Sequence, residues 1–177
     1  MSFFLLSHAL ALHAMTYHED VLYIFSKMMP RFVLMSSQKE KIKTDIEICI
    51  LHDEMDKLSA VALHEALQKN YPNGLLNYKI NSTVSNFSDL DSCKNAQLIF
   101  LFNTQDENIQ NVLKLASKNQ SITLSYDSKL LESGVDMSLF LGRKITPYIN
   151  NESLKNKKIE LNNILLRIAK IFTKGVE

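Results

Sequence analysis

The chain has 177 residues, enough for one domain with a substantial core, and its 46% apolar and 22% charged residues are typical of a globular protein. Its 20 Lys and Arg residues nearly balance 19 Asp and Glu residues, which gives a net charge of +1. This balance offers no strongly basic surface, so a nucleic acid is excluded as an implied partner.

The first fourteen residues contain the one candidate targeting signal in the sequence. Phe3 to Leu12 is apolar over the length of a signal-peptide core but is too short to span a bilayer. Ala9-Leu10-Ala11 has the small-x-small pattern that signal peptidase recognises, although no basic residue precedes the apolar run. Residues 1–14 are therefore expected to be an export signal, with a buried N-terminal helix as the alternative. No other segment has the length that a direct membrane span requires.

An amphipathic helix is predicted after this segment. Apolar residues recur at helical spacing between residues 17 and 34, at Val21, Leu22, Phe25, Met28, Met29, Phe32 and Val33. Pro30 has no amide proton to donate to the Ser26 carbonyl, so it is expected to kink or end the helix nearby.

The middle of the chain alternates between strand and helix patterns. Ile46 to Leu51 is a nearly continuous apolar run, as in a strand that is covered on both faces. A helix is predicted next from the spacing of Leu58, Val61, Ala62, Glu65 and Ala66. The turn residues Tyr71 to Gly74 end it, and Leu75 to Ile80 alternates like a strand with one solvated face. Ala96 to Phe102 is the most apolar strand candidate and is placed at the centre of the sheet.

A second helix and strand follow this apolar run. Thr104-x-x-Glu107 has the capping-box pattern and predicts the start of a helix. That helix is expected to bury Ile109, Val112, Leu113 and Ala116. Another strand is predicted at residues 122–126, followed by a short helix that ends near Gly134.

The C-terminal forty residues predict a hairpin and a closing helix. Met137 to Leu141 and Ile145 to Ile149 flank the tight Gly142-Arg143-Lys144 corner, as the two strands of a β-hairpin do. The helical stripe comprises Leu161, Ile164, Leu165, Ile168 and Phe172. The predicted fold is α/β: a single layered domain over residues 15–177, with a mostly parallel central sheet flanked by helices, the hairpin and the closing helix.

Two cysteines are the best-defined chemical pair. Cys49 lies in the first predicted strand and Cys93 lies just before the central one. Neighbouring parallel strands could bring the two thiols within disulfide distance. The alternative is two separate buried thiols in a cytosolic protein, and the spacing alone does not choose between them.

No catalytic, cofactor or metal site is predicted. His52-Asp53-Glu54 resembles part of a phosphorylation-receiver pocket, but Asn103 stands where such a pocket needs its acceptor aspartate. Phosphate-binding glycine loops and nucleophile-elbow motifs are absent, and the histidines lack metal-ligand spacing. The cluster of Lys155, Lys157 and Lys158 is interpreted as a solvated turn.

The C-terminal region resembles the YfiR/HmsC-like family. The resemblance rests on Gly134, Met137, the hairpin, Ile149-Asn150 and the run LLRIAK at residues 165–170, and it extends from Tyr17 to Phe172. Proteins of that family are non-enzymatic periplasmic regulators that bind the periplasmic sensing domain of a membrane-bound diguanylate cyclase and hold it inactive. Release of the regulator raises cyclic di-GMP and favours biofilm formation. The resemblance therefore implies this partner, a periplasmic location and no cofactor.

The resemblance also implies a disulfide. Cys49 in IEICILHD and Cys93 in SCKNAQLIFLF occupy contexts that match the bonded cysteines of the family. Some relatives have a second disulfide near the hairpin, where this chain has no cysteine.

The surface that contacts the partner is predicted to include Phe140, Arg143 and Tyr148, since Arg and aromatic residues are favoured at interfaces. The alternative is that Arg143 keeps the hairpin edge soluble. A homodimer is also open.

The sequence is also compatible with two other functions. A periplasmic sensory module would bind a small ligand near Asp53 or Asn103, beyond the carboxyl ends of the strands, and signal to another membrane receptor. A cytosolic enzyme of unrecognised type would keep its N-terminus and reduced thiols.

Overall fold

One seven-stranded sheet organises residues 17–175, the part of the chain that this computed structural model describes. The strands are β1 (Asp45–His52), β2 (Lys79–Asn86), β3 (Leu98–Leu101), β4 (Ile122–Ser125), β5 (Met137–Leu141), β6 (Ile145–Ile149) and β7 (Lys170–Ile171). They lie in the order β2-β1-β3-β4-β5-β6-β7. Only β5 and β6 pair antiparallel among the named strands, which confirms the predicted mostly parallel sheet with a hairpin. The export signal predicted at residues 1–14 lies outside the described residues.

Helices cover both faces of the sheet. The described residues form α1 (Glu19–Leu34), α2 (Lys57–Asn70), α3 (Asp106–Asn119), α4 (Asn151–Asn156) and α5 (Asn163–Ile168). On one face, Phe25 and Met29 of α1 and Leu63 of α2 pack in one apolar cluster with Ile50 and Phe100 of the sheet. On the other face, a second cluster joins α3 to the sheet through Leu51, Ile99, Leu101, Val112 and Ala116. The alternation of neighbouring strand residues between these clusters confirms a layered α/β fold.

Within residues 17–175, no helix combines the length and the hydropathy needed to cross a membrane.

α1 continues through its proline. The helix was expected to kink or end near Pro30, but it runs four residues further to Leu34. Pro30, Phe32 and Val33 are all buried, so packing of the last turn outweighs the one backbone hydrogen bond that proline cannot make.

The outward face of α2 carries the apolar residues from which the helix was predicted. Leu58 is 84% exposed and Val61 is also exposed, whereas Ala60, Leu63 and Leu67 face the core. The predicted helix is present, but its buried stripe is rotated relative to the one that the sequence suggested.

The strand predicted at Leu75–Ile80 is misplaced, since only its last two residues belong to a strand. Leu75 pairs with Tyr78 in a tight turn, and the strand β2 begins only at Lys79. A β-carbon added at Gly74 would lie 2.2 Å from the Tyr78 carbonyl oxygen, so this turn requires glycine. β2 is an edge strand paired with β1 alone, and its polar sequence lacks the apolar alternation that a half-buried strand shows.

The prediction that Thr104 and Glu107 form a capping box at the start of α3 is wrong. Gln105 is the N-cap residue, and its side chain makes no capping hydrogen bond. Thr104 Oγ1 instead donates to Asp53 Oδ2 over 2.7 Å and accepts a hydrogen bond from Asn108. The threonine therefore connects two loops rather than capping the helix.

The closing helix is shorter than its apolar spacing suggested. α5 starts with the Asn162 side chain accepting from the Leu165 amide and ends at Ile168. The chain then extends into β7, and Phe172 N donates to the Ile149 carbonyl. Pairing with the edge of β6 takes the last residues of the predicted stripe out of the helix.

A buried ion pair joins the C-terminal segment to the sheet. Lys157 was interpreted as part of a solvated turn, but its side chain is 5% exposed and its ammonium bonds to the fully buried Asp136 carboxylate. Asp136 Oδ2 also accepts from the Thr123 amide and hydroxyl, at 2.6 and 2.8 Å, and Oδ1 accepts from the Ser153 hydroxyl at 2.7 Å. Lys157 also donates to the Ser121 carbonyl at 3.0 Å.

This network links three elements that are distant in sequence. Thr123 belongs to β4, Asp136 directly precedes β5, and Ser153 belongs to α4. Burial lowers the Lys157 pKa, and the adjacent Asp136 carboxylate opposes that shift. Because a charge in such a place is tolerated only when paired, each partner is needed to keep the other buried.

Replacing Lys157 with Ala should destabilise the fold by about 3 kcal/mol or more, because it leaves the Asp136 carboxylate buried without its cation. Lys155→Ala is the matched control, since Lys155 lies on the same segment but is exposed, and it should change stability by no more than about 0.5 kcal/mol. Urea denaturation measures both, and equal stability of the two variants would contradict the role assigned to Lys157.

Candidate functional site

The outer half of the β5–β6 hairpin presents an aromatic row to solvent. Phe140 and Tyr148 lie on one face of the hairpin with ring centroids 6.3 Å apart, and Phe172 continues the row 5.8 Å from Tyr148. Lys170 Nζ lies 4.4 Å from the Phe140 centroid and 5.0 Å from the Tyr148 centroid. Both distances are in the range of a cation–π interaction, so Lys170 contacts two of the three rings of this row.

The opposite face of the same hairpin end is apolar. Leu141 and Ile145 are direct cross-strand partners, and Ile171 of β7 lies on the same side, each about half exposed. Nearer the base of the hairpin, Leu139 and Ile149 of this face are buried in the main core. The apolar surface therefore continues the core outward past the point where the helices cover it, which is typical of an interaction surface.

The structure brings together two of the three residues predicted to contact a partner. Phe140 is 43% exposed and Tyr148 is half-buried beside it. Arg143 lies in the exposed turn between β5 and β6 and has no ring contact or ion pair with another described residue. Lys170 and Phe172 were missed because the sequence pattern placed Phe172 on a buried helical stripe, and only the pairing of β7 with β6 brings both to this face.

The disulfide lies deep in the second core cluster. The structure joins Cys49 of β1 to Cys93, with the two Cα atoms 5.3 Å apart and both side chains buried. Cys93 ends a short 3-10 helix at Leu90–Cys93, just before β3. The bond thus ties the segment that enters β3 to the neighbouring strand.

Protein side chains fill the region at the carboxyl ends of β1 and β3, where the alternative sensory module would bind its ligand. Tyr17 OH donates to Asp56 Oδ2 at 3.1 Å and accepts from the Asn103 amide at 3.1 Å. Thr104 bonds to Asp53 in the same region. Burial raises the pKa of both Tyr17 and Asp56. This end of the sheet is therefore closed by an internal polar network.

Among residues 17–175, no group of His, Cys, Asp or Glu side chains has the arrangement of a metal site. His64 lies on α2. Its Nδ1 atom is 2.7 Å from the Ser82 hydroxyl, and that contact links α2 to β2.

The sequence matches the YfiR/HmsC-like family over residues 23–170, which includes every strand from β1 to β6. The chain belongs to the YfiR/HmsC-like family. Membership confirms the resemblance found in the sequence. No curated protein matches the sequence.

Two solved structures share the fold of this YfiR/HmsC-like protein. A conserved domain protein from Vibrio cholerae aligns with a TM-score of 0.61 and 10% identity over 86% of this chain. The ABC domain from Streptococcus pneumoniae, solved in complex with L-Trp, aligns with a TM-score of 0.58 and 9% identity over 85% of this chain. This chain spans 60% of the length of each of them. At such low identity the similarity concerns the fold alone.

Loss of the disulfide should destabilise this YfiR/HmsC-like protein. The bond closes a loop of 44 residues, for which the chain-entropy model expects a stabilisation of about 4 kcal/mol. The double variant Cys49→Ala/Cys93→Ala should lose a large part of this free energy of unfolding in urea denaturation. Reduced wild-type protein is the comparison, and equal stability of its oxidised and reduced forms would rule out a stabilising role.

Asp56→Asn should flatten the pH dependence of stability. Burial, helped by the nearby Asp53 carboxylate and opposed by the Tyr17 hydrogen bond, raises the Asp56 pKa. The folded state therefore binds this proton more tightly than the unfolded state, whose pKa is about 3.9. The stabilisation is complete below that pKa and is lost as the pH rises through the raised value in the folded state.

The amide of the variant cannot titrate, so its stability should rise relative to the wild type across that interval. Urea denaturation at several pH values measures the difference, with Asp91→Asn as an exposed control. A constant difference between Asp56→Asn and the wild type at every pH would contradict this assignment.

Proposed function

We propose that the protein is a non-enzymatic periplasmic regulator that binds the periplasmic domain of a membrane-bound diguanylate cyclase and holds that enzyme inactive. Family membership over residues 23–170 is the observation that supports this function. In this proposal residues 1–14 direct export and residues 15–177 form the single regulatory domain.

The outer hairpin is the surface proposed to contact the cyclase. Phe140 and Tyr148 offer aromatic contacts, Arg143 at the turn adds a cation with a planar hydrogen-bonding group, and Leu141 and Ile145 offer apolar area on the other side. Aromatic and arginine side chains of this kind contribute disproportionately to binding free energy. A homodimer through the same surface is the competing use, and the experiment below separates the two.

Regulation would proceed by a shift in populations. A regulator that binds the inactive arrangement of the cyclase more tightly than the active one lowers the active fraction in proportion to that difference in affinity. The hairpin suits this role because its base is held in the core by Leu139 and Ile149, so little conformational entropy is lost when its outer end binds.

Phe140→Ser should weaken binding to the periplasmic domain of a cyclase encoded beside this gene by about tenfold or more, since an exposed aromatic contact would be lost. Tyr23→Ser is a closely matched control. Tyr23 is 42% exposed on α1 and has the Lys27 ammonium 4.2 Å from its ring centroid, so it resembles Phe140 in exposure and in its cation contact. Isothermal titration calorimetry gives both affinities, and cyclic di-GMP in cells carrying each variant gives the regulatory effect.

A selective loss with Phe140→Ser and a rise in cyclic di-GMP would support the proposed surface. Equal affinities of the two variants would remove the hairpin from the interface while leaving the regulator in place. Loss of self-association without loss of cyclase binding would assign the hairpin to a homodimer. Failure of the wild type to bind the cyclase, together with unchanged cyclic di-GMP when the gene is deleted, would refute the proposed function.

A further inference from the structure

A polar pocket lies at the end of the sheet opposite to Asp53. It has a volume of about 350 Å³ and is bordered by Asp45 and Glu47 at the start of β1, by Gln97 just before β3, and by Asn119 at the end of α3. We refer to it as the basal pocket. Its volume lies within the range of small-molecule sites.

Gln38 provides an unused polar group in the wall of the basal pocket. The residue is only 2% exposed, and its side-chain amide makes no hydrogen bond to another described residue, although its backbone amide donates to the Ser36 hydroxyl. Among the described residues, every side-chain nitrogen or oxygen that is inaccessible to solvent has a hydrogen-bond partner. The Gln38 amide must therefore reach solvent, and the space that it borders is the basal pocket.

The charges around the basal pocket favour an anionic ligand. Lys43 and Lys94 line it, and neither forms an ion pair with a described carboxylate. The two acidic residues of the lining accept hydrogen bonds from a neutral amide, since Asn81 Nδ2 donates to Asp45 Oδ2 at 2.9 Å and to Glu47 Oε1 at 3.0 Å. Because Lys43 and Lys94 are not paired with these carboxylates, both lysines are available to bind an anion.

A third cation gives the pocket a small excess of positive charge. Lys41 Nζ donates to the Gln120 side chain at 2.8 Å and to the Asn119 carbonyl at 3.4 Å, both of them neutral acceptors. The lining thus has three lysines and two acids, which gives it a net charge of +1.

The wall of the basal pocket is held in place before any ligand binds. Lys94 directly follows Cys93, whose disulfide ties it to β1, and the Lys94 carbonyl accepts from Asn119 Nδ2 at 3.0 Å. Gln97 Oε1 accepts from the Glu47 amide at 2.6 Å. Because these contacts fix the wall in the unliganded protein, little ordering cost remains for binding.

We propose that the basal pocket binds a small organic carboxylate, with Lys43 and Lys94 binding the carboxylate and the Gln38 amide binding a second polar group of the ligand. The Gln38 amide offers an acceptor oxygen as well as N–H donors, so an organic ligand with a hydroxyl beside its carboxylate can use both, whereas phosphate would use mainly the donors. The site does not depend on the cyclase partner, and it would give the protein a small-molecule input separate from the hairpin.

Titration of isotope-labelled protein followed by NMR tests this site. Succinate and citrate are the probes, and inorganic phosphate and glycerol are the comparisons. At least one carboxylate should produce saturable shifts in the Gln38 side-chain amide and in the backbone of residues 94–97, whereas glycerol should not. Lys94→Gln and Lys43→Gln should each weaken binding by about tenfold, while Lys129→Gln, an exposed lysine elsewhere, should leave it unchanged.

Lys43 and Lys94 are both exposed, so these variants should remain folded, and circular dichroism checks that they do. Gln38→Leu should reduce the difference in affinity between the carboxylate and phosphate. The proposal is overturned if neither carboxylate gives saturable shifts, if phosphate binds as tightly with the same shifts, or if the variants at positions 43 and 94 bind like the wild type.

Discussion

The buried carboxylate of Asp136 is the constraint on which the C-terminal half of the structure depends. It is completely enclosed, and it satisfies donors from β4 and α4 as well as the ammonium of Lys157. The Asn150 amide also donates to the Asp136 carbonyl at 2.8 Å, which connects the end of β6 to the same residue. Since removing either charge would leave the other buried without a partner, the hairpin and the segment after it are held against the sheet as a unit.

This anchoring explains how one hairpin can serve both the core and a surface. Its base contributes Leu139 and Ile149 to the main apolar cluster, whereas its outer end leaves Phe140 and Ile145 open to solvent. A partner that binds the outer end would meet a surface that is already ordered. The disulfide has a similar anchoring role at the end of the sheet where the parallel strands begin. It holds the wall of the basal pocket beside β1. The proposed protein contact and the proposed ligand site therefore lie on separately stabilised parts of one sheet.

Much of the fold follows from local patterns in the sequence. β1 and both hairpin strands lie where apolar runs and turn residues placed them, because buried strands and tight corners leave a strong local signal. β2 was misplaced because an edge strand is stabilised by pairing with β1 and needs few apolar residues of its own. Thr104 and Lys157 were misinterpreted for a related reason, since each is used in a contact with a residue at least 21 positions away. Of the proposed partner surface, the prediction from sequence included Phe140 and Tyr148 but omitted Lys170, whose position over their rings depends on a strand that no periodicity indicated.

The sequence by itself determined the layered α/β class, the hairpin and, through the family resemblance, the pairing of Cys49 with Cys93. These features are encoded in periodicity, turn residues and the contexts of two cysteines, all of which are read over short stretches of chain. Only the tertiary structure decided which polar residues lie inside. A lysine next to two exposed lysines has the same local pattern whether it is solvated or buried, and it is the position of Asp136 across the fold that makes burial of Lys157 favourable.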